Sequence, residues 1–158
     1  ELVEKYVDDV VTVSEDEIAA AIVALLEGPK TVAEGAGATS VAAYLFNKID
    51  TSLNTVALVS GGNVDITTLS RIITKGLQKT GRIVQIKTKL ADKAGNLAQL
   101  LKCIADAGAN VLNIEHERED AKTSVSTCVV TMTLETRDEV HVQMIRRELR
   151  NRGYHLFD

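Results

Sequence analysis

Several residue types and patterns are scarce in this sequence, and each absence narrows the class of protein. There is no tryptophan, there is a single proline, Pro29, and aromatic residues make up only 3% of the chain. No apolar run approaches the roughly 18 residues of a membrane-spanning helix, and no signal-peptide pattern opens the sequence. The formal net charge of −4 argues against a nucleic-acid or anionic-membrane partner. We therefore expect a cytoplasmic globular protein without nucleic-acid or membrane partners.

Metal-binding and redox motifs are also missing. The two cysteines, Cys103 and Cys128, show no CxxC spacing and are predicted to be buried reduced thiols rather than a disulfide or a nucleophile. The three histidines, His116, His141 and His155, are scattered over separate predicted elements. The sequence therefore predicts no metal site, and each histidine is interpreted as a surface or strand residue.

The first half of the chain has the alternating element order of a parallel α/β fold. Residues 7–13 and 56–59 are short β-branched runs predicted as strands. The second run shows no alternation, which is typical of a strand buried in a parallel sheet. The chain starts without methionine in the middle of a helical pattern, so we expect it to be a piece of a longer protein. Residues 1–81 are accordingly predicted to be part of an α/β domain.

Helix signals separate these two runs. Ser14 and Glu17 have capping-box spacing ahead of an apolar stripe with helical period. Further helices are predicted over residues 39–49 and 66–78, the second with Asp65 as its N-cap.

From residue 82 the pattern becomes β-α-β-β-α-β, the order of the ferredoxin-like α+β fold. The second of these strands is predicted to place Leu112, Ile114 and His116 on one face. A charged turn is expected over residues 117–122. Residues 82–158 are thus predicted to form a second domain. RNA-recognition modules share this topology, but they stack bases on aromatic rings of the central strands, and these strands carry none.

The turn after residues 56–59 carries a specific motif. Ser60-Gly61-Gly62-Asn63-Val64-Asp65 stands between the predicted strand and helix, at the edge where α/β folds bind ligands, although paired glycines also occur in plain turns. This motif and the earlier Glu34-Gly35-Ala36-Gly37-Ala38 resemble active-site segments of the pyridoxal-phosphate enzymes of the serine/threonine dehydratase family. The resemblance implies that the Ser60 hydroxyl hydrogen-bonds the pyridine nitrogen of the cofactor, with Gly61 and Glu34 in its surroundings. A neutral hydroxyl makes a weaker electron sink than a carboxylate, which favours elimination over transamination.

Two other parts of that family's active site are missing from the sequence. There is no tetraglycine phosphate loop and no lysine in the family's Schiff-base motif. The resemblance therefore implies an enzyme whose catalytic residues lie outside this chain, which we expect to be inactive alone. Within the family, the second domain favours the threonine dehydratases, which deaminate L-threonine to 2-oxobutanoate and ammonia. A serine dehydratase or racemase relative and a stand-alone regulatory module are the alternatives.

The second domain has its own motifs, Asp92-Lys93-Ala94-Gly95-Asn96-Leu97 and Gly108-Ala109-Asn110-Val111. They resemble the ligand-binding turns of ACT domains, which are regulatory modules for amino acids, although Ala94 replaces the family's usual proline. The helix start at Asn96 and Leu97 offers N–H groups for an α-carboxylate, and Gly95 permits close approach.

The same motifs supply polar side chains. Asp92 suits an α-ammonium, and Asn110 can both donate and accept hydrogen bonds. The sequence is equally consistent with Asp92 as an ordinary turn residue and with Asn110 as a helix-terminating residue. The resemblance implies an amino-acid effector, isoleucine or valine, and a homo-oligomer formed through the ACT domains, some of which only dimerise.

Overall fold

The computed structural model describes residues 1–118 and 126–157. Their contacts divide the chain into two units, Glu1–Lys79 and Thr80–Asp158. Residues 119–122 of the predicted charged turn lie outside the described residues. Among the described residues, no helix has both the length and the hydrophobicity needed to cross a bilayer.

The described first unit consists of helices and irregular segments. Its elements are α1 (Leu2–Tyr6), α2 (Glu15–Glu27), a 3-10 turn (Ala36–Ala38), α3 (Thr39–Leu45) and α4 (Ile66–Lys79). Small side chains dominate its core, which allows the backbones to approach closely; its buried members are Ala21, Ile22, Leu25, Ala33, Ala38 and Ala42.

Two helix starts in this unit follow the sequence prediction. The Ser14 hydroxyl accepts a hydrogen bond from the Glu17 N–H at 3.2 Å, while the Glu17 carboxylate accepts one from the Ser14 N–H at 2.8 Å. This reciprocal pair is the predicted capping box of α2. Asp65 accepts a hydrogen bond from the Thr68 N–H at 2.9 Å, so it caps α4 as predicted.

The prediction of two strands in the first half of the chain is wrong for the described structure. Neither 7–13 nor 56–59 forms a strand, and Val56 and Leu58 are 96% and 78% exposed. A strand exists only when a neighbour accepts and donates its backbone hydrogen bonds, and the described part of this unit contains no such neighbour. The predicted parallel sheet is therefore not observed. The predicted helix over 39–49 is also shorter, because α3 ends at Leu45 and Asn47 adopts a left-handed φ of 52°.

The second unit has the predicted β-α-β-β-α-β order. Its elements are β1 (Ile83–Ala91), α5 (Asn96–Asp106), β2 (Asn110–Glu117), β3 (Thr127–Glu135), α6 (Glu139–Asn151) and β4 (Leu156–Phe157). The strands form one antiparallel sheet in the order β2-β3-β1-β4. The ferredoxin-like topology predicted from the sequence is confirmed.

The core of this unit lies between one face of the sheet and the two helices. Alternate residues of β1 and β3 face α5 and α6, as the period-two pattern predicts. Burial itself does not alternate along β3, because Val129 and Thr131 on its other face are buried too. The fully buried members of the cluster are Ile86, Leu100, Cys103, Ile104, Cys128, Val130, Met132, Leu134, Ile145 and Leu149.

Strand β2 departs from the predicted alternation at one position. The pairing with β3 is shifted between Val111 and Asn113, so Leu112 is the extra residue of a β-bulge. As a result Val111 and Ile114 pack against the core, whereas Leu112 is 50% exposed. The predicted shared face of Leu112, Ile114 and His116 is therefore wrong at Leu112, since a bulge moves the following residues to the opposite face.

Candidate functional site

The turn between β1 and α5 is ordered by hydrogen bonds to backbone carbonyls. The Asp92 N–H donates to the Ser126 carbonyl at 2.9 Å, and the Asn96 side-chain amide donates to the Ala91 carbonyl at 2.9 Å. Gly95 is the N-cap of α5 and has a φ of 90°, a conformation that disfavours any residue with a Cβ. No side chain caps this helix start, but the Asn96 N–H donates to the Lys93 carbonyl at 3.3 Å. The first turn of α5 therefore presents the positive end of its dipole at this turn with the Asn96 N–H already hydrogen-bonded.

Charged groups flank this turn on two sides. The Asp92 carboxylate lies 3.1 Å from the Arg118 guanidinium, and both side chains are partly exposed to solvent. On the other side, a depression of about 280 Å³ is lined by Lys89, Leu90, Ala91, Asn96, Gln99, Arg152, Gly153 and Tyr154. Sequence reasoning missed this depression, because the segment between α6 and β4 contributes part of its wall from more than fifty residues away.

Asn110 lies far from these residues within one chain. It begins β2, next to the end of β3, whereas Asp92 follows the opposite end of the sheet. Eight residues of β2 separate the two ends by roughly 20 Å. The Asn110 amide donates to the Glu135 carboxylate at 3.2 Å. The structure therefore groups Asp92, Gly95, Asn96 and Leu97 but does not add Asn110 to them.

The predicted cofactor residues of the first unit do come together. The Glu34 N–H donates to the Gly61 carbonyl at 3.1 Å, and a Cβ placed on Gly61 would overlap the Glu34 carboxylate. A Cβ on Gly37 would overlap the Ser60 carbonyl. The two segments thus pack directly on each other, which by itself explains why glycine is needed at both positions.

The Ser60 side chain is exposed beside this contact. An exposed hydroxyl is accessible to the nitrogen edge of a pyridine ring, as the resemblance to pyridoxal-phosphate enzymes requires of Ser60. The described residues around it provide no phosphate loop, so they fit one edge of this cofactor rather than the whole of it.

His141 is a buried residue that sequence reasoning placed wrongly, as a surface or strand residue. It lies on α6 and is only 3% exposed. Its Nδ1 accepts the Arg137 N–H at 3.2 Å, so Nε2 carries the proton and donates to the Ala107 carbonyl at 2.9 Å. The missed signal is helical spacing, because His141 precedes the buried Ile145 by one helical turn.

Both cysteines are free and buried, as predicted. Burial raises the pKa of the Cys103 thiol. Burial also raises the pKa of the Cys128 thiol, and the negative charge of nearby Asp92 adds to this effect. Neither thiol is thus activated as a nucleophile.

Comparison with known proteins identifies the class of the second unit. Residues 78–152 match the family model of the ACT domain. The second unit is an ACT domain.

Known relatives extend the similarity over both units. The chain is 50% identical over 155 residues, 98% of its length, to an L-threonine ammonia-lyase of Thermotoga maritima. It is 42% identical over 154 residues to an L-threonine ammonia-lyase of Geobacter sulfurreducens. A catabolic L-threonine dehydratase of Escherichia coli strain K12 is 47% identical over 75 residues, 46% of this chain. The chain spans 38% of the length of each of the two ammonia-lyases, so it is related to a portion of a threonine dehydratase that includes the ACT domain.

Proposed function

We propose that this chain is part of a pyridoxal-phosphate-dependent threonine ammonia-lyase that deaminates L-threonine to 2-oxobutanoate and ammonia. Residues 1–81 belong to its catalytic domain, and residues 82–158 form a domain through which an amino acid regulates it. The observation that carries the proposal is 50% identity over 98% of the chain, because this similarity includes both units and not only the ACT domain.

The role assigned to the first unit is to position the cofactor. Pyridoxal phosphate, when bound, supplies the electron sink that allows a proton and a β-hydroxyl group to leave the amino acid. The Ser60 hydroxyl hydrogen-bonds the ring nitrogen, and Gly61 and Glu34 shape the backbone next to it. The lysine that binds the cofactor and the loop that holds its phosphate come from the remainder of the parent enzyme.

Exposed apolar side chains in the first unit support this assignment. Val56 and Leu58 precede Ser60 and are almost fully exposed, which is unusual for a β-branched apolar run. In the whole enzyme, neighbouring strands from the rest of the catalytic domain would cover this run and hydrogen-bond its backbone. The turn bearing Ser60 would then lie at the end of a complete parallel sheet.

Substitution of Ser60 in the parent enzyme tests the catalytic part of the proposal. Ser60→Ala is expected to lower kcat for 2-oxobutanoate formation roughly tenfold or more, because the ring nitrogen loses its partner. The helix substitution Ser70→Ala, which removes another exposed hydroxyl, should leave kcat unchanged. If both variants turn over threonine like the wild type, Ser60 does not contact the cofactor.

For the regulatory part, we assign the effector to the β1–α5 turn. The α5 N–H groups at Asn96 and Leu97 bind the α-carboxylate, and the Asn96 N–H gives up its 3.3 Å hydrogen bond to the Lys93 carbonyl to do so. Gly95 permits the approach of the carboxylate, and Asp92 binds the α-ammonium. Isoleucine or valine is the proposed effector. The start of α5, which no side chain caps, and the partly exposed Asp92 carboxylate support this assignment.

A two-fold dimer would complete the site. Strand β2 is an eight-residue edge strand, and its outer backbone groups have no partner strand among the described residues. Antiparallel pairing of β2 with β2 of a second copy would place Asn110 of one copy beside the Glu117 end of the other, near Asp92 of that copy. In this arrangement Asn110 closes a site that a single chain leaves open.

Calorimetry on the chain tests this site. Valine or isoleucine should release or absorb heat and raise the melting temperature, and Asp92→Ala should weaken the binding by roughly tenfold. Gln99→Ala, on the depression at the other side of the turn, is the matched control and should bind normally. If neither amino acid produces heat or a shift in melting temperature, the second unit acts only as a dimerisation surface, and the stand-alone module without an effector becomes the better hypothesis.

A further inference from the structure

Three side chains of different chemistry meet at the end of the sheet where β1 and β2 finish. Asp92 follows β1, His116 is the penultimate residue of β2, and Cys128 is the second residue of β3. One ligand atom from each, a carboxylate oxygen, an imidazole nitrogen and Sγ, lies within 4.8 Å of the other two. The three residues come from different elements, so no spacing along the sequence predicts the cluster.

The register of the sheet places these side chains on one face. Cys128 pairs with Leu90 of β1, and Asp92 lies two residues beyond Leu90 on the same side of the pleat. His116 pairs with Val130, which lies two residues after Cys128 on β3. Alternation therefore directs all three side chains toward the helix-covered side, at the end of the sheet where solvent reaches Asp92 and His116.

We propose that Asp92, His116 and Cys128 form a binding site for a divalent transition-metal ion of the zinc type. Thiolate, imidazole and carboxylate are the donor groups that such ions prefer, and three protein ligands leave a fourth position for water. In a tetrahedral site with normal bond lengths the ligand atoms stand roughly 3.3–3.6 Å apart. Side-chain rotations of the two exposed residues, Asp92 and His116, are sufficient to close the remaining gap.

The present contacts of these groups do not block a metal ion. Asp92 is paired with Arg118, but this pair is solvent-exposed and weak, and one carboxylate oxygen can bind the metal while the other keeps the pair. The Cys128 thiol donates to the Leu90 carbonyl at 3.4 Å, a weak hydrogen bond. On binding, the thiol releases its proton to solvent as the sulfur–metal bond forms, and no electron is transferred.

Cobalt(II) titration of the reduced, chelator-treated chain tests the site, because a cobalt–thiolate bond has a charge-transfer band in the near ultraviolet. The band should saturate at one cobalt per chain. It should vanish in Cys128→Ser and in Cys128→Ala. Cys103→Ser is the matched control and should keep the band, because Cys103 is the other buried thiol. His116→Ala should weaken cobalt affinity by roughly tenfold or more.

Two outcomes would overturn the proposal. One is the absence of a thiolate band at millimolar cobalt in chain that circular dichroism shows to be folded. The other is a band that survives in Cys128→Ser or is lost in Cys103→Ser. His116→Ala keeps the experiment decisive if the buried Cys128 variants fail to fold, because His116 is exposed. The metal site does not rest on the proposed enzymatic function, but it shares Asp92 with the proposed effector site. Valine calorimetry on His116→Ala separates these two sites, because His116 belongs only to the metal site and this variant should still bind valine.

Discussion

At the scale of single residues, His141 links three segments of the ACT domain. Its ring joins α6 to the turn after α5 through the Ala107 carbonyl and to the turn between β3 and α6 through the Arg137 N–H. A buried ring that satisfies one backbone donor and one backbone acceptor is expected to contribute more to stability than its surface counterparts.

Replacement of this ring should therefore destabilise the second unit. His141→Ala is expected to lower the free energy of unfolding by about 2–4 kcal/mol, because a cavity forms and two buried backbone groups lose their partners. Urea denaturation followed by circular dichroism measures the change. His155→Ala, at an exposed histidine, should stay within about 0.5 kcal/mol of the wild type. Equal effects of the two substitutions would contradict the structural role of His141.

Glu17 makes the stability of the first unit dependent on pH. The hydrogen bond from the Ser14 N–H, followed by Lys48 at 3.0 Å, lowers the pKa of the Glu17 carboxyl below its usual value of 4.5. A carboxyl with a lowered pKa in the folded state stabilises the fold above pH 4.5, and this contribution disappears as the pH falls through the folded-state value.

The corresponding test is a comparison of unfolding at several pH values. Glu17→Gln should reduce stability at pH 7 and should flatten the loss of stability as the pH falls below 4.5. Glu15→Gln, at an exposed neighbour on the same helix turn, provides the control for a general loss of charge. A Glu17→Gln profile parallel to that of the wild type would show that this carboxyl does not titrate differently on folding.

At the scale of elements, α2 and α4 approach closely at one glycine. A Cβ on Gly76 would lie 2.6 Å from the Ala19 carbonyl oxygen and 2.6 Å from a methyl group of Val23. Contacts this short force the helices apart or distort them.

Gly76→Ala is consequently expected to destabilise the first unit by about 1–3 kcal/mol, although the same change in an open helix normally stabilises. Thermal unfolding monitored by circular dichroism measures the effect. Ser70→Ala, on an exposed position of the same helix, should have almost no effect on the melting temperature. A rise in melting temperature for Gly76→Ala would mean that the helices do not cross as closely as described.

At the scale of the whole molecule, the edge strand β2 is expected to mediate self-association. The chain should sediment as a dimer at micromolar concentration, and Leu112→Lys should shift it toward the monomer, because two like charges would meet near the two-fold axis. Val140→Lys, at an exposed apolar residue of α6, is the control. A monomeric wild type, or a Leu112→Lys variant that stays fully dimeric, would contradict pairing through β2.

The ACT domain was predictable from the sequence because its signals are local. Strand β1 alternates apolar and polar residues, Asp138 caps α6 through the His141 N–H, and each element meets a partner within the same unit. Local propensity and tertiary packing agree there, so pattern and structure coincide. The grouping of Glu34, Ser60 and Gly61 also follows from motifs that the sequence displays.

Tertiary structure alone decided the remaining features. The run at 56–59 has strand propensity, but strand formation depends on a neighbour that this chain does not offer in its described residues. The bulge at Leu112, the distance between Asp92 and Asn110, and the meeting of Asp92, His116 and Cys128 all depend on how strands pair. Sequence periodicity specifies which way a side chain points along one element, whereas the pairing between elements determines which side chains meet.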